Sequence, residues 1–252
     1  MGRIIVVASG KGGAGKTTFV CNLSAALAKL GKHVVAVDAN LTTPNLGVHL
    51  GVPLYPITLQ DVLSGEAKLK EAIYKHKSGV SVLPADMSIT RLSKTTSSEL
   101  VNVLYKLADA FDFVLVDSAA GLGREAVTSI EAADELITIT NPEMPALVDA
   151  LKLCKITDKL ETANLGVVLN RVRKDKHEMH ENEVRDFLSM DILGTIPEDN
   201  EIRKSVFAKE PVVTYRPNSY ASRSYKKIAS SLAGLNTKQQ SRFLNMFGWL
   251  KR

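Results

Sequence analysis

Cysteine is nearly absent: the 252 residues hold two, Cys21 and Cys154, and neither belongs to a C-x-x-C pair. Metal and iron–sulfur chemistry are thus unsupported. Two isolated thiols inside expected helices read as small buried hydrophobes in a reducing compartment. Long apolar runs are lacking too. No stretch approaches the roughly 18 residues a membrane span needs, and the first apolar strand starts at Arg3, leaving no room for a signal peptide. The expected location is the cytoplasm. Aromatics make up 6% of the chain, and the single tryptophan, Trp249, lies near the C-terminus. A net charge of +5 permits an acidic partner, such as anionic lipid or DNA, without choosing between them.

What is present is an ordinary globular composition, 45% hydrophobic, enough for one large α/β domain followed by a tail. Its densest signal is Gly10-Lys11-Gly12-Gly13-Ala14-Gly15-Lys16-Thr17-Thr18. This run follows the β-branched stretch Arg3 to Ala8 and precedes Cys21 to Leu30, where apolar residues recur at helical spacing, so it joins a strand to a helix. The spacing fits G-x-x-x-x-G-K-[ST], the phosphate-binding loop. Glycines let successive N–H groups converge with no Cβ in the way, and a helix starting near Lys16 adds unpaired N–H groups and a positive dipole end. The expected guest is a polyphosphate, cradled by Gly12, Gly13, Ala14 and Gly15. Lys16 would lie along the β- and γ-phosphates, the Thr17 hydroxyl on Mg²⁺, and the Thr18 hydroxyl at the α-phosphate.

The second lysine, Lys11, makes the run Lys-Gly-Gly-x-Gly-Lys-Thr, which resembles the deviant Walker A motif of the MinD/ParA family of dimeric ATPases. The resemblance implies a three-layer, doubly wound, mostly parallel sheet and an ATP-dependent homodimer. In that dimer Lys11 would reach across the interface to the partner's nucleotide.

The rest of the chain repeats strand and helix. His33 to Asp38 reads as a buried strand ending in a carboxylate beside the phosphate loop. The segment Asn40 to Leu46 resembles the family's first switch, whose usual form is Asp-x-Asp. Asn40 stands where the family's water-orienting aspartate would be. An amide still hydrogen-bonds water but takes no proton, so hydrolysis would be slow or lean on Asp38. A natural Asn, an engineered trap of the ATP state and a plain turn residue all remain open. Thr58 to Gly65 reads as a short capped helix, Leu69 to Tyr74 as a helical turn, Val80 to Pro84 as a strand, and Ser97 to Ala110 as a helix. Phe111 to Asp117 is a Walker B pattern, with Asp117 holding a water of the Mg²⁺ shell. Gly121 in the following loop would offer an amide to the γ-phosphate, and Ala119 stands where the family usually has proline. Glu135 to Thr140 is a strand leading through Asn141-Pro142-Glu143 into a helix to about Leu160. By the same resemblance Asn170 and Arg171 form an adenine-reading corner, and Pro197, Glu198 and Asp199 its opposite wall. Ser219 to Leu232 is a last helix with Tyr225, Ile228, Ala229 and Leu232 on one face.

The expected ATPase domain covers residues 1–234, and residues 235–252 a linker and amphipathic helix. On a helical wheel Phe243, Leu244, Met246, Phe247 and Leu250 share an arc of roughly 160°, with Trp249 at its edge. Arg242, Lys251 and Arg252 flank the stripe, as in a helix lying in a membrane interface, and the segment resembles the family's membrane-targeting tail. The alternative is that it packs back on the domain. The combined expectation is an ATPase on the inner face of the cell membrane, with a protein activator or cargo as further partner. DNA is disfavoured. Two rivals stay open: a weakly hydrolysing, nucleotide-gated membrane scaffold and a DNA- or cargo-partitioning ATPase.

Overall fold

The computed structural model describes residues 1–51, 55–86, 97–160, 162–173 and 175–235. The expected amphipathic helix and its residues Phe243, Leu244, Met246, Phe247, Trp249 and Leu250 lie outside them.

Strand β1 (Arg3–Ala8) leads into helix α1 (Lys16–Lys29), and β2 (Val34–Asp38) follows. Two short helices, α2 (Leu46–His49) and α3 (Leu59–Leu63), precede the small strands β3 (Tyr74–Lys75) and β4 (Ser81–Leu83). Next come α4 (Ser97–Ala108), β5 (Phe113–Asp117), α5 (Arg124–Glu131), β6 (Glu135–Thr140) and α6 (Met144–Thr157). The chain continues with β7 (Ala163–Val172), α7 (Glu181–Leu188), β8 (Ile192–Pro197), α8 (Asn200–Phe207), α9 (Val212–Tyr215) and α10 (Tyr220–Leu232).

The sheet order is β3-β4-β2-β5-β1-β6-β7-β8, parallel throughout except for the β3–β4 edge pair. A parallel sheet must be covered on both faces, which explains why its central strands β1, β2 and β5 are almost continuously apolar rather than alternating with polar residues. Successive side chains still point to opposite faces. Ile5, Val7, Ala36 and Leu115 meet α1 and α10 on one side, whereas Ile4, Val6, Val35, Val114 and Val116 meet α3, α4 and α5 on the other. The three-layer, doubly wound expectation holds.

Helix α1 carries the central weight on its side. Phe19 is fully buried against the equally buried Tyr225 of α10, with ring centroids 5.9 Å apart. Each such side chain contributes about 2–3 kcal/mol by burial. Cys21 and Cys154 are both buried and unpaired, as the composition suggested. Burial raises the Cys21 thiol pKa well above its usual value.

The sequence reading differs at the edge and in the short helices. Leu69 to Tyr74 is a single 3-10 turn over Leu69–Glu71 followed by β3, because Tyr74 pairs with Val82 and its hydroxyl donates to the Ile57 carbonyl at 3.0 Å. Helix α6 stops at Thr157, three residues short of the expectation, where the Thr157 hydroxyl turns back onto the Cys154 carbonyl at 2.8 Å. Among the described residues no helix is long and apolar enough to cross a membrane.

Candidate functional site

The parallel order puts the carboxyl ends of β1, β2 and β5 side by side, and the loops leaving them meet there. Asp38 and Asp117 are register partners at the ends of adjacent strands. The glycine-rich loop leaves β1 at the same end.

That loop keeps its shape for steric reasons. Gly15, at the N-terminus of α1, has φ +97, and a Cβ there would fall 2.3 Å from the Asn170 amide nitrogen. Gly10 packs so closely on α6 that a Cβ would lie 2.4 Å from the Asp149 backbone. Ser9 organises the rest. Its hydroxyl receives the Lys16 ammonium at 3.0 Å and donates to the Lys11 carbonyl at 2.8 Å, while its carbonyl accepts the Gly121 amide at 3.0 Å. Gly121 N–H, expected to face phosphate, is instead held by Ser9, just ahead of the phosphate loop. The Lys11 side chain is exposed, whereas Lys16 is buried and its pKa is lowered by that burial, with Asp117 opposing.

Thr17 and Asp117 stand together, the hydroxyl donating to Oδ2 at 2.6 Å. The other carboxylate oxygen, Oδ1, is buried with no partner among the described residues. Burial raises the Asp117 pKa to about 6, with the Thr17 hydrogen bond and Lys16 pulling it down. An orphaned anionic oxygen beside a threonine hydroxyl suits the water shell of Mg²⁺, whose remaining ligands would be phosphate and water. Among the described residues no cluster of three acidic, His or Cys side chains could hold a metal without such help.

Asp38 is more committed. Oδ1 accepts the Asn40 amide at 3.2 Å, and Oδ2 accepts the Asn45 and Leu46 amides at 3.1 and 3.0 Å. Burial and Asp117 push its pKa well up, while these backbone bonds pull the other way. It pins the first switch rather than offering a free base. The Asn40 side chain folds into its own loop, donating to the Thr43 carbonyl at 2.7 Å and accepting the Thr43 amide and hydroxyl at 3.2 and 3.1 Å. In this conformation Asn40 is a turn residue. Its neighbours are latched to α5: the Glu125 carboxylate accepts the Leu41 amide, the Thr42 amide at 3.1 Å and the Thr42 hydroxyl at 2.7 Å.

Beside the loop lies a cleft of about 250 Å³. Gly15 and Thr18 form one end, and Asn170, Arg171, Pro197, Glu198 and Asp199 the walls, so the residues expected to read adenine do converge. Asn170 donates to the Ala14 carbonyl at 2.7 Å and leaves its buried Oδ1 without a partner among the described residues, as an acceptor for a base edge would be. Asp199 is occupied: its two oxygens accept the Glu201 amide at 2.9 Å and the Ala221 amide at 3.2 Å, joining α8 to α10. The Glu198 carboxylate lies 3.7 Å from Arg173.

Residues 5–212 match the CobQ/CobB/MinD/ParA nucleotide binding domain. The chain belongs to this family. Members are ATPases, and this chain is a MinD-like ATPase that uses nucleotide and magnesium. It is 43% identical over 232 residues to an uncharacterised ATP-binding protein of Methanocaldococcus jannaschii, covering 92% of this chain and 88% of that one. The septum site-determining protein MinD of Pyrococcus horikoshii, solved with Mg-ADP, superposes with a TM-score of 0.88 at 38% identity, over 92% of this chain and 96% of that one. The MinC:MinD cell division complex of Aquifex aeolicus matches with a TM-score of 0.83 at 28% identity, over 93% and 97%.

Ser9, His49, Glu125 and Tyr225 were not singled out as site residues from sequence. Ser9 precedes the recognised motif, and the partners of His49 and Glu125 lie 31 and more than 80 residues away. Tyr225 reads as an apolar-face residue, yet it lines the nucleotide cleft.

Proposed function

We propose that this ATPase is a nucleotide-timed membrane switch. Mg-ATP brings two copies face to face across their phosphate loops, with Lys11 of each engaging the nucleotide of the other. Residues 235–252 then bind the anionic inner face of the cell membrane as a pair, and hydrolysis releases the dimer. A tail of this length binds lipid weakly alone, whereas two on one dimer bind by avidity. The role that follows is spatial positioning of cell division or other machinery, in keeping with the septum-determining relative, and a protein activator or cargo would dock on the dimer.

The observation that carries this reading is the division of labour between the two lysines. Lys16 is buried on Ser9 and faces its own loop, while Lys11 is exposed at the rim where a second copy would approach. Each chain residue has a task that needs no rearrangement of the fold. Lys16 and the amides from Gly12 to Thr18 neutralise phosphate charge, Thr17 and Asp117 hold the magnesium water shell, and Asn170 orients the base. A magnesium ion held there would supply charge neutralisation to the phosphates.

Gel filtration with a slowly hydrolysed ATP analogue tests the assignment. Lys16→Ala should lose tight nucleotide binding, and Lys11→Ala should bind nucleotide yet stay monomeric. A Lys11→Ala variant that dimerises like the parent contradicts the trans-acting role. The weakly hydrolysing scaffold is the second reading, favoured by the engagement of Asn40 with Thr43.

A further inference from the structure

His49 sits on α2, next to the first switch, and touches the phosphate loop. Its Nδ1 lies 2.9 Å from the Asn45 carbonyl, and its Nε2 lies 3.3 Å from the Thr18 hydroxyl. A carbonyl oxygen only accepts, so Nδ1 must carry a proton. In the neutral ring Nε2 is then a bare lone pair, and the Thr18 hydroxyl must donate to it. That direction matters. A phosphate oxygen also only accepts, so a hydroxyl whose one proton is given to His49 has nothing to give a nucleotide.

We propose that His49 is a positioning residue for nucleotide binding: its neutral imidazole holds the Thr18 hydroxyl proton, and a nucleoside di- or triphosphate recruits that hydroxyl by drawing a proton onto Nε2. In the bound state both ring nitrogens donate, Nδ1 to the Asn45 carbonyl and Nε2 to Thr18 Oγ1, and the Thr18 O–H turns to phosphate. One proton is taken from solvent and none is lost from the ring. The inference rests on the assignment of Thr18 to a phosphate, made above.

The surroundings favour this cycle. Burial lowers the His49 pKa in the free protein, with the Asn45 carbonyl opposing, and an adjacent polyphosphate reverses the balance by stabilising imidazolium. The remaining residues of α2 are Leu46, Gly47 and Val48, which do not titrate. From β2, Asp38 reaches the same helix through the Asn45 and Leu46 amides. On the far side His76 bonds the Leu50 backbone and Lys209 packs against Gly51. The same chain of bonds runs Asp38, Asn45, His49, Thr18, so it joins the first switch to the α-phosphate end of the cleft.

The test is titration calorimetry of Mg-ADP binding to the full chain, in two buffers of different ionisation heat, from pH 6 to 8. Protons released by ADP, Asp38 and Asp117 are common to parent and variants and cancel in the comparison. Relative to His49→Gln, which keeps a donor toward Thr18 but cannot titrate, the parent should take up a further fraction approaching one proton. Its affinity should weaken with rising pH by up to about tenfold per unit more than the variant's. His49→Leu should lose the same uptake. Thr18→Val separates the two layers: weaker binding at every pH supports the phosphate contact, and unchanged binding overturns that contact alone. Equal proton counts in the parent and His49→Gln, with Thr18→Val still weakened, overturn the role given to His49.

Discussion

Asp117→Asn should make the nucleotide-free protein more stable at neutral pH while removing its magnesium-dependent activity. The carboxyl is 1% exposed, and its pKa rises from 3.8 to about 6 on folding. A carboxyl with a raised folded pKa holds its proton more tightly in the native state. Below pH 4 both states are protonated and nothing is lost; between about pH 4 and 6 stability falls, and above pH 6 the full loss is in place. A shift of two units corresponds to about 3 kcal/mol at most. Asparagine keeps an acceptor for the Thr17 hydroxyl but brings an N–H₂ with no evident partner, which costs about 1 kcal/mol. The net gain is then about 2 kcal/mol at pH 7, or roughly 4–8 °C in Tm for a chain of this size. Thermal melts of parent and variant at pH 4 and pH 7 measure it. The parent should recover the difference on adding Mg-ADP, because a cation at Asp117 favours the charged form. A variant that is less stable than the parent at pH 7, or a gap of equal size at both pH values, refutes the electrostatic account.

Gly15→Ala should lower Tm by roughly 2–8 °C from backbone strain alone, since a left-handed alanine costs about 1–2 kcal/mol, and further because its Cβ strikes the Asn170 amide, and should weaken nucleotide binding; Asn170→Ala in the same chain should return part of the stability but not the affinity, as a double-mutant thermal cycle would show. Asn40→Asp should raise single-turnover hydrolysis with little change in ATP affinity, because a carboxylate loses the bond to the Thr43 carbonyl and can orient and accept a proton from water, acting mainly in the transition state; an unchanged rate means the water is placed by another group. Glu125→Ala should release the Leu41–Thr42 latch and speed hydrogen exchange there, with stability changed by no more than about 1 kcal/mol; protected amides would show that the latch is incidental.

The parts legible in sequence were those whose signal is local. Strands β1, β2, β5 and β6 announce themselves because a strand buried on both faces of a parallel sheet is largely apolar, and the phosphate loop because its glycines lie close together in sequence. Helices α1, α4, α6 and α10 carry enough apolar positions to repeat. Helices α7 and α8 are harder to read because each is only eight residues long: the stripe of Val184, Phe187 and Leu188 in α7, and Ile202 beside the buried Ser205 in α8, end before the period repeats. The strand β3 is two residues long and owes its existence to pairing with β4. The same limit applies to the site. Lys16, Thr17 and Asp117 follow from motif spacing, but the commitment of Asp38 to three backbone amides, the turn made by Asn40 and the latch of Glu125 depend on loops folding together. No pattern along the chain encodes them.

Co-sedimentation with vesicles is the most direct test that nucleotide state controls membrane residence. The parent, Lys11→Ala and Phe247→Glu would each be spun with vesicles of 0, 20 and 40% anionic lipid, with ATP or ADP. The parent should pellet with ATP, more so with anionic lipid and less with salt, and stay largely in the supernatant with ADP; both variants should remain soluble and folded with either nucleotide. Equal pelleting of the parent with ATP and ADP, or none with either together with a lowered Tm for Phe247→Glu, would contradict the account.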